Sequence, residues 1–109
     1  MPTNYKILAQ AASATADTAF YTVPAATETV VSTITVCNRG TASATYRINT
    51  RIDGTATGNA NYLAYDATVS GNDTIALTLG ISLNASDQIS CMASNTNLTF
   101  QAFGAEITA

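Results

Sequence analysis

The chain has 109 residues and a formal net charge of −3, and only 10% of its residues are charged. Uncharged hydroxyl and amide side chains must therefore form most of its polar surface, and the sequence supplies 19 Thr, 8 Ser and 9 Asn. Histidine is absent and Lys6 is the single lysine, which excludes imidazole metal ligands and disfavours Schiff-base catalysis. Because the arginines form no basic patch and no run reaches about 18 apolar residues, we expect no nucleic-acid partner and no membrane partner.

The N-terminal residues 1–6 lack the basic region and the long apolar run of a secretion signal. We therefore expect the protein to be made in a cytoplasm and not exported. A cytoplasm is reducing, so Cys37 and Cys91 are expected to remain free thiols that pack as small core residues.

Apolar and polar residues alternate with period two along almost the whole chain, and no helical spacing of apolar residues is sustained. This pattern indicates an all-β protein. Residues 11–17 are predicted to form a loop, because Ser, Thr and Asp side chains compete for backbone hydrogen bonds. The predicted strands, in chain order, cover residues 5–9, 19–23, 29–38, 45–52, 61–65, 74–82, 88–93 and 98–107.

The third predicted strand is rich in β-branched side chains, as is typical of a central strand. Strict alternation places Val30, Ile34 and Val36 on one face and Val31 on the opposite face. The turn that follows includes Gly40, which can adopt a positive φ without steric cost.

The fourth predicted strand alternates apolar with charged or amide side chains and leads into the loop of residues 53–59. We interpret that loop as a hairpin connection and not as a phosphate cradle, because no helix follows it. The residues predicted to face the core are Tyr46, Ile48 and Ile52, and those predicted to face solvent are Arg47, Asn49 and Arg51.

The sixth predicted strand has the plainest alternation in the chain. Small and polar residues occupy one of its faces, which indicates that only the other face meets the core. The apolar residues predicted to face the core are Ile75, Leu77, Leu79 and Ile81.

Two pairs of aromatic residues are each separated by three positions. Tyr62 and Tyr65 would lie on opposite faces of a regular strand, so one of them should be exposed, where it could anchor a partner or pack on another subunit. Phe100 and Phe103 raise the same question in the last strand. If both phenylalanines are buried, one lies in a contact between subunits or a bulge occurs at Gly104.

About eight short strands with polar turns and no helical crossover predict a single antiparallel β-sandwich or small jelly roll. Residues 1–109 are predicted to form one such domain, because no linker or change of composition divides the chain. Alternation does not distinguish between these two topologies.

The chain offers little chemistry for catalysis. Its carboxylates occur one by one, mostly in turns, and no histidine is present to activate a serine or threonine. The turns at residues 72–73 and 84–87 could supply calcium ligands, but one carboxylate in each favours a turn-forming role. We therefore predict a protein that is not an enzyme and has no metal site and no cofactor.

Four stretches together resemble a known group of proteins: YTVPAAT at residues 21–27, VSTITVCNRG at 31–40, NDTIALTLGI at 72–81 and FGAEI at 103–107. The succession resembles small virion-associated proteins of tailed bacteriophages, including phages of cyanobacteria, over about residues 6–108. The resemblance implies a β-sandwich located in the virion and made in the host cytoplasm. It implies a protein that decorates or cements a head, often as a trimer, or a module of a tail, baseplate or fibre.

The leading hypothesis is a capsid decoration or cement protein that binds the major capsid protein or other virion proteins and forms a homo-oligomer. The alternative is a tail-fibre or baseplate module that contacts host glycans through the loop of residues 53–59 and exposed tyrosines. A pilus-like adhesion subunit would need export, which the N-terminus does not indicate. The candidate interface residues are Val31, Tyr62, Tyr65, Phe100 and Phe103.

Overall fold

The computed structural model describes residues 2–108, which contain eight β-strands. Each predicted strand is present, with ends that differ by a few residues. Two short 3-10 turns, Ile52–Gly54 and Asn59–Asn61, lie between the fourth and fifth strands. The strands are β1 Thr3–Ala12, β2 Thr18–Thr22, β3 Thr27–Asn38, β4 Ala44–Arg51, β5 Tyr62–Val69, β6 Thr74–Leu83, β7 Gln88–Ala93 and β8 Leu98–Thr108.

The strands form two four-stranded antiparallel sheets that enclose the core. Sheet 1 has the order β1-β8-β3-β6, and sheet 2 has the order β2-β7-β4-β5. The chain crosses between the sheets at every connection of the described residues except the β4–β5 hairpin. This arrangement is a jelly roll, so the predicted all-β sandwich is confirmed and its topology is defined. A single domain over residues 1–109 stays a prediction, and its first and last residues lie outside the described range.

Inward-facing side chains from both sheets form the core. Phe100 of β8 meets Phe20 of β2 and Tyr46 of β4 edge to face, with ring centroids 6.2 and 6.3 Å apart. Such aromatic pairs add to the free energy of area burial. The largest fully buried apolar side chains are Phe100, Ile34, Ile48, Ile89, Leu98, Val31, Val36 and Val69.

A bulge in β3 reverses the predicted faces of its first half. Val31 pairs with Gly104 and Thr33 pairs with Phe103, so Ser32 is an extra residue on β3. The extra residue shifts the alternation, and Val31 and Ile34 both point into the core despite their opposite parity. Val30 consequently lies on the outer face of sheet 1, and its predicted inward orientation was wrong.

Ile52 and Asn49, both within the fourth predicted strand, differ from the prediction in their exposure. Ile52 is 71% exposed because the strand ends at Arg51 and Ile52 begins a 3-10 turn. Asn49 lies on the outer face as predicted but is completely buried. Its Nδ2 donates to Asp17 Oδ1 at 3.1 Å, and Thr57 of the β4–β5 loop donates to the same carboxylate at 2.6 Å, so the loop covers it.

The prediction for β6 holds except at one residue. Ile75, Leu77 and Ile81 pack against the core, whereas Leu79 is 43% exposed. Thr33 of β3 pairs with Thr78 of β6, and Val31 pairs with Ile81. One residue lies between these positions on β3 and two lie between them on β6, so β6 has an extra residue. Leu79 lies in this irregular segment and next to Gly80, whose φ is +64°, so its side chain is turned away from the core.

Phe100 and Phe103 lie on opposite faces of β8, as their parity predicts. Phe100 is 1% exposed, and Phe103 is half-buried on the outer face of sheet 1. The bulges lie in the neighbouring strands β1 and β3 and not at Gly104. Gly104 instead permits a close approach of β8 to β3, because a Cβ there would collide with the carbonyl oxygen of Val30.

Gly40 does not use the positive φ open to glycine, since positive φ among the described glycines occurs at Gly54 and Gly80. A side chain at Gly40 would lie 2.8 Å from Nδ2 of Asn97, so close packing accounts for this glycine. Cys37 and Cys91 are free thiols, as expected. Cys91 is buried between the sheets, but Cys37 is only half-buried.

A buried polar network links the two sheets. Tyr21 of β2 donates a hydrogen bond to Glu106 Oε2 on β8, and Thr29 of β3 bonds the same tyrosine hydroxyl at 2.9 Å. Lys6 of β1 pairs with Glu106 Oε1 at 2.7 Å. Every oxygen of the Glu106 carboxylate therefore has a partner, which offsets the cost of burying it.

Candidate interaction surfaces

The five candidate interface residues fall into three environments. Val31 and Phe100 are core residues with 0% and 1% exposure, so neither can contact a partner of the folded protein. Their assignment to the interface was wrong, because the β3 bulge turns Val31 inward and regular alternation keeps Phe100 inward. Phe103 and Tyr62 are half-buried, and Tyr65 is 57% exposed.

Tyr62 and Tyr65 lie on the same face of β5, contrary to the prediction. Ile48 of β4 lies opposite Ala64 of β5, and the next residue, Asn49, lies opposite Tyr62. Strand β5 therefore has one residue more than β4 in this segment. This register shift turns Tyr62 outward beside Tyr65. The two rings meet edge to face with centroids 4.8 Å apart.

A second irregularity of β5 brings Asp66 to the same surface. Tyr46 of β4 lies opposite Ala67 of β5, and Ile48 lies opposite Ala64. One residue separates the two positions on β4 and two residues separate them on β5, so β5 has an extra residue here. Asp66 adopts φ 52°, a left-handed conformation that Asp tolerates better than most residues. The adjacent side chains of Tyr65 and Asp66 can therefore both reach one residue of the outer face.

That residue is Arg47 of β4. Its Nε donates to Asp66 Oδ1 at 2.7 Å and its Nη2 donates to Oδ2 at 3.1 Å. Its guanidinium carbon lies 4.0 Å from the centre of the Tyr65 ring. Hydrogen bonding to Arg47 lowers the pKa of the Asp66 carboxyl, and the same contact raises the pKa of Arg47. Both groups are therefore ionised at neutral pH and hold each other in one orientation.

A groove of about 290 Å³ adjoins this pair on the outer face of sheet 2. We call it the Arg47 groove. Thr15 of the β1–β2 loop, Thr45 and Ser94 contribute hydroxyls, and Met92 contributes an apolar side chain. Thr45 and Ser94 are hydrogen-bonded to each other, and the Ser94 hydroxyl accepts from Thr45 N–H at 3.1 Å. Arg47 and Asp66 are its charged lining residues, and they pair with each other.

The outer face of sheet 1 carries a different surface. Tyr5 is 85% exposed, Ile7 52% and Val30 39%, and register places all three on this face with Ala105 and Ile107. We call these five residues the apolar patch. A shallow depression of about 270 Å³ runs through it, with Thr3 and Ser32 at its margin.

Sequence reasoning missed the apolar patch. Tyr5 and Ile7 share parity within the first predicted strand, so their common face was visible in the sequence. Their exposure was not visible, because apolar alternation on an edge strand is usually a signature of the core face. Val30 was missed because the β3 bulge reverses its face.

The loop of residues 53–59 is mostly exposed, and hydrogen bonds anchor it at two points. Asp53 N–H donates to Asp87 Oδ1 at 3.0 Å, and Thr57 is bound to Asp17. These contacts fasten the loop to neighbouring turns. Among residues 2–108, no cluster of three or more His, Cys, Asp or Glu side chains could hold a metal ion. The same part of the chain has no helix of the length and apolarity needed to cross a membrane.

No protein-family model matches the chain, and no curated protein matches it. Among solved structures, the fold is similar to that of a chain in the structure of infectious bursal disease virus, Gx strain. The TM-score is 0.52 at 9% sequence identity, and the match covers 96% of this chain and 31% of the viral chain. The protein therefore spans about a third of that chain. At this identity the likeness shows a shared fold alone.

Proposed function

We propose that the protein is a non-enzymatic structural protein of a virus particle, and specifically a capsid decoration or cement protein. It docks on the assembled shell through the apolar patch of sheet 1. The exposure of Tyr5, Ile7 and Val30 on one face carries this proposal. Clustered apolar side chains on an otherwise polar surface mark sites of protein association.

The physical character of the molecule supports this assignment. A jelly roll is a recurrent fold of viral capsid domains, and the structural neighbour comes from a virus particle. Only 10% of the residues are charged, so docking of the patch desolvates few ions. A protein that binds only the assembled shell stabilises that state by mass action. Many weak contacts, supplied by a homo-oligomer such as a trimer, would add through multivalency.

The docking surface is tested by substituting Ile7→Glu, with Leu79→Glu as the matched control on the same sheet. Ile7 is 52% exposed and Leu79 43%, but only Ile7 belongs to the apolar patch. We expect Ile7→Glu to lower binding to depleted particles by about 100-fold, because docking would bury an unpaired carboxylate. Leu79→Glu should bind like the unmodified protein.

The assay is sedimentation of particles with added protein, followed by measurement of the temperature at which particles release their genome. Equal binding of both variants would contradict the docking surface. Unchanged particle heat stability after removal of the protein would contradict the cement function.

A tail-fibre or baseplate module is the second candidate. The exposed Tyr65, braced by Tyr62, favours it, because surface tyrosines are common anchors in recognition. Gold-labelled antibody on intact particles separates the two positions. Label over the head supports decoration, and label confined to the tail supports the second candidate.

A further inference from the structure

The Arg47 groove has the size and lining of a small-ligand site. Its volume of about 290 Å³ is near the lower end of the range for ligand pockets, about 300–1,000 Å³. A volume of this size suits a ligand as small as a monosaccharide. Its floor is formed by regular strands β4 and β7, which hold the lining side chains at defined positions.

The polar groups of the groove suit a ligand that both donates and accepts hydrogen bonds. Asp66 presents acceptors, Arg47 presents donors, and the hydroxyls of Thr15 and Thr45 do both. The Ser94 hydroxyl accepts from Thr45 N–H at 3.1 Å and retains its own proton to donate. The Arg47–Asp66 pair uses only Nε and Nη2 of the guanidinium, so neighbouring hydroxyls of one ring can bind a remaining N–H donor and a remaining carboxylate acceptor together. Met92 offers an apolar surface to the C–H face of such a ring.

The charge of the groove selects against ions. Arg47 and Asp66 neutralise each other, and no other charged residue of the described chain lines the groove. An anion at the free N–H groups of Arg47 is repelled by the adjacent Asp66 carboxylate, and a cation at Asp66 is repelled by the adjacent guanidinium of Arg47.

The pair is also preorganised. Tyr65 supports the guanidinium from one side at 4.0 Å, and Tyr62 packs against the edge of Tyr65. The ordering of side chains on binding costs free energy and weakens the binding of small ligands. A ligand of the groove avoids this cost, because these side chains are already held in place.

From these features we propose that the Arg47 groove is a binding site for neutral saccharides. The inference goes beyond the structural function proposed above and does not depend on the position of the protein in a particle. The groove lies on the outer face of sheet 2 and the apolar patch on the outer face of sheet 1, so both can be occupied at once.

The test is a titration of the isotope-labelled protein, followed by amide NMR shifts. The neutral probes are glucose, galactose, mannose and N-acetylglucosamine, and the ionic probes are glucuronate, glucosamine and inorganic phosphate. We expect saturable shifts at residues 45–47, 66 and 92–94 with at least one neutral probe, and Kd values of about 1 mM, typical of a small polar ligand.

Variants separate binding from folding. Asp66→Asn and Thr15→Val each remove groups of the groove while keeping side-chain shape, and we expect each to weaken binding by about fivefold or more. Arg39→Ala is the matched control, since Arg39 is an exposed cation whose partners are Thr96 and Thr99. It should bind as the unmodified protein does.

Three results would overturn the inference: no saturable shift with any neutral probe, shifts located outside the groove, or stronger binding of an ionic probe. None of them bears on the apolar patch, whose test is particle binding of the Ile7 variant. A failed saccharide site and a failed docking surface are therefore distinguishable.

Discussion

Glu106 shows how this weakly charged protein tolerates a carboxylate between its sheets. Hydrogen bonding to Lys6, followed by that to Tyr21, lowers the pKa of Glu106, and these contacts outweigh the opposing effect of burial. Burial, together with the bond to Glu106, raises the pKa of Tyr21 to about 12. The network is therefore stable with an ionised glutamate and a neutral tyrosine at neutral pH.

The contribution of Glu106 to the free energy of unfolding depends on pH. Because the folded pKa of Glu106 lies below its usual value of 4.5, its contribution is fully present above pH 4.5 and is lost as pH falls through the folded value. We expect Glu106→Gln to lower the free energy of unfolding by about 2 kcal/mol at pH 7, the usual effect of hydrogen bonds to a charged group. Urea denaturation from pH 7 to pH 3 measures this. The two curves should converge at low pH, and parallel curves would contradict the prediction.

At the scale of elements, a line of irregularities crosses sheet 1. Leu8 on β1 and Ser32 on β3 are extra residues beside the regular strand β8, and β6 has its own shift near Gly80. β5, an edge strand of sheet 2, is bulged as well. Three long edge strands are therefore irregular, which hinders edge-to-edge pairing between copies. Lateral association through these edges is disfavoured relative to docking through a sheet face.

Beside the bulge in β3, strand β8 lies very close to the backbone of β3, and Gly104 is the residue of β8 that permits this approach. Gly104→Ala would force its methyl group against the backbone of Val30, and we expect a loss of about 3 kcal/mol in the free energy of unfolding, as for overpacking. Gly58→Ala is the control. Gly58 has φ −135° and its nearest neighbour would lie 3.6 Å away, so a change within about 0.5 kcal/mol is expected. Thermal unfolding of both variants checks this, and equal melting temperatures would contradict it.

At the scale of the molecule, the jelly roll separates two surfaces of different chemistry. The apolar patch faces outward from sheet 1, and the Arg47 groove faces outward from sheet 2. The domain measures 45 × 27 × 18 Å, so its thin dimension leaves little interior beyond one layer of core side chains. The proposed shell contact and the proposed saccharide site therefore lie on opposite faces and do not overlap.

Global unfolding should be visible at Cys91. Burial, with a smaller effect of Asp17, raises the pKa of its thiol, so it is both shielded and uncharged in the folded protein. We expect alkylation by iodoacetamide to modify Cys91 only at the rate of global opening, and at once in denaturant. Cys37→Ser isolates the signal in mass spectrometry. Rapid modification of the folded variant would contradict the buried position.

Prediction from sequence succeeded where neighbouring residues decide structure. Each of the eight strands follows from local alternation, and Phe100 and Phe103 follow from their parity on a regular strand. It failed where a strand carries a residue that its partner strand lacks. The orientations of Val31, Leu79 and Tyr62 depend on bulges that no local pattern marks, because a bulge is defined by the register between two strands.

The Arg47 groove and the apolar patch show the same division between what neighbouring residues decide and what strand pairing decides. Tyr65 was predicted from sequence as one of two tyrosines, of which one would be exposed, but its contact with Arg47 joins residues from two strands. Asp66 is one of the carboxylates that occur singly in the sequence, and only the bulge of β5 places it beside Arg47. The apolar patch combines three strands, and the exposure of Tyr5 depends on what covers the edge strand.

The sequence by itself determined the all-β class, the number of strands, the polar uncharged character of the surface and the scarcity of catalytic groups, because composition and period-two alternation are local properties. Tertiary structure alone decided the jelly-roll order, the inward or outward face of residues beside bulges, and the assembly of the apolar patch and the Arg47 groove. These depend on strands distant in the chain, whose pairing and register are set by the packing of both sheets on one core.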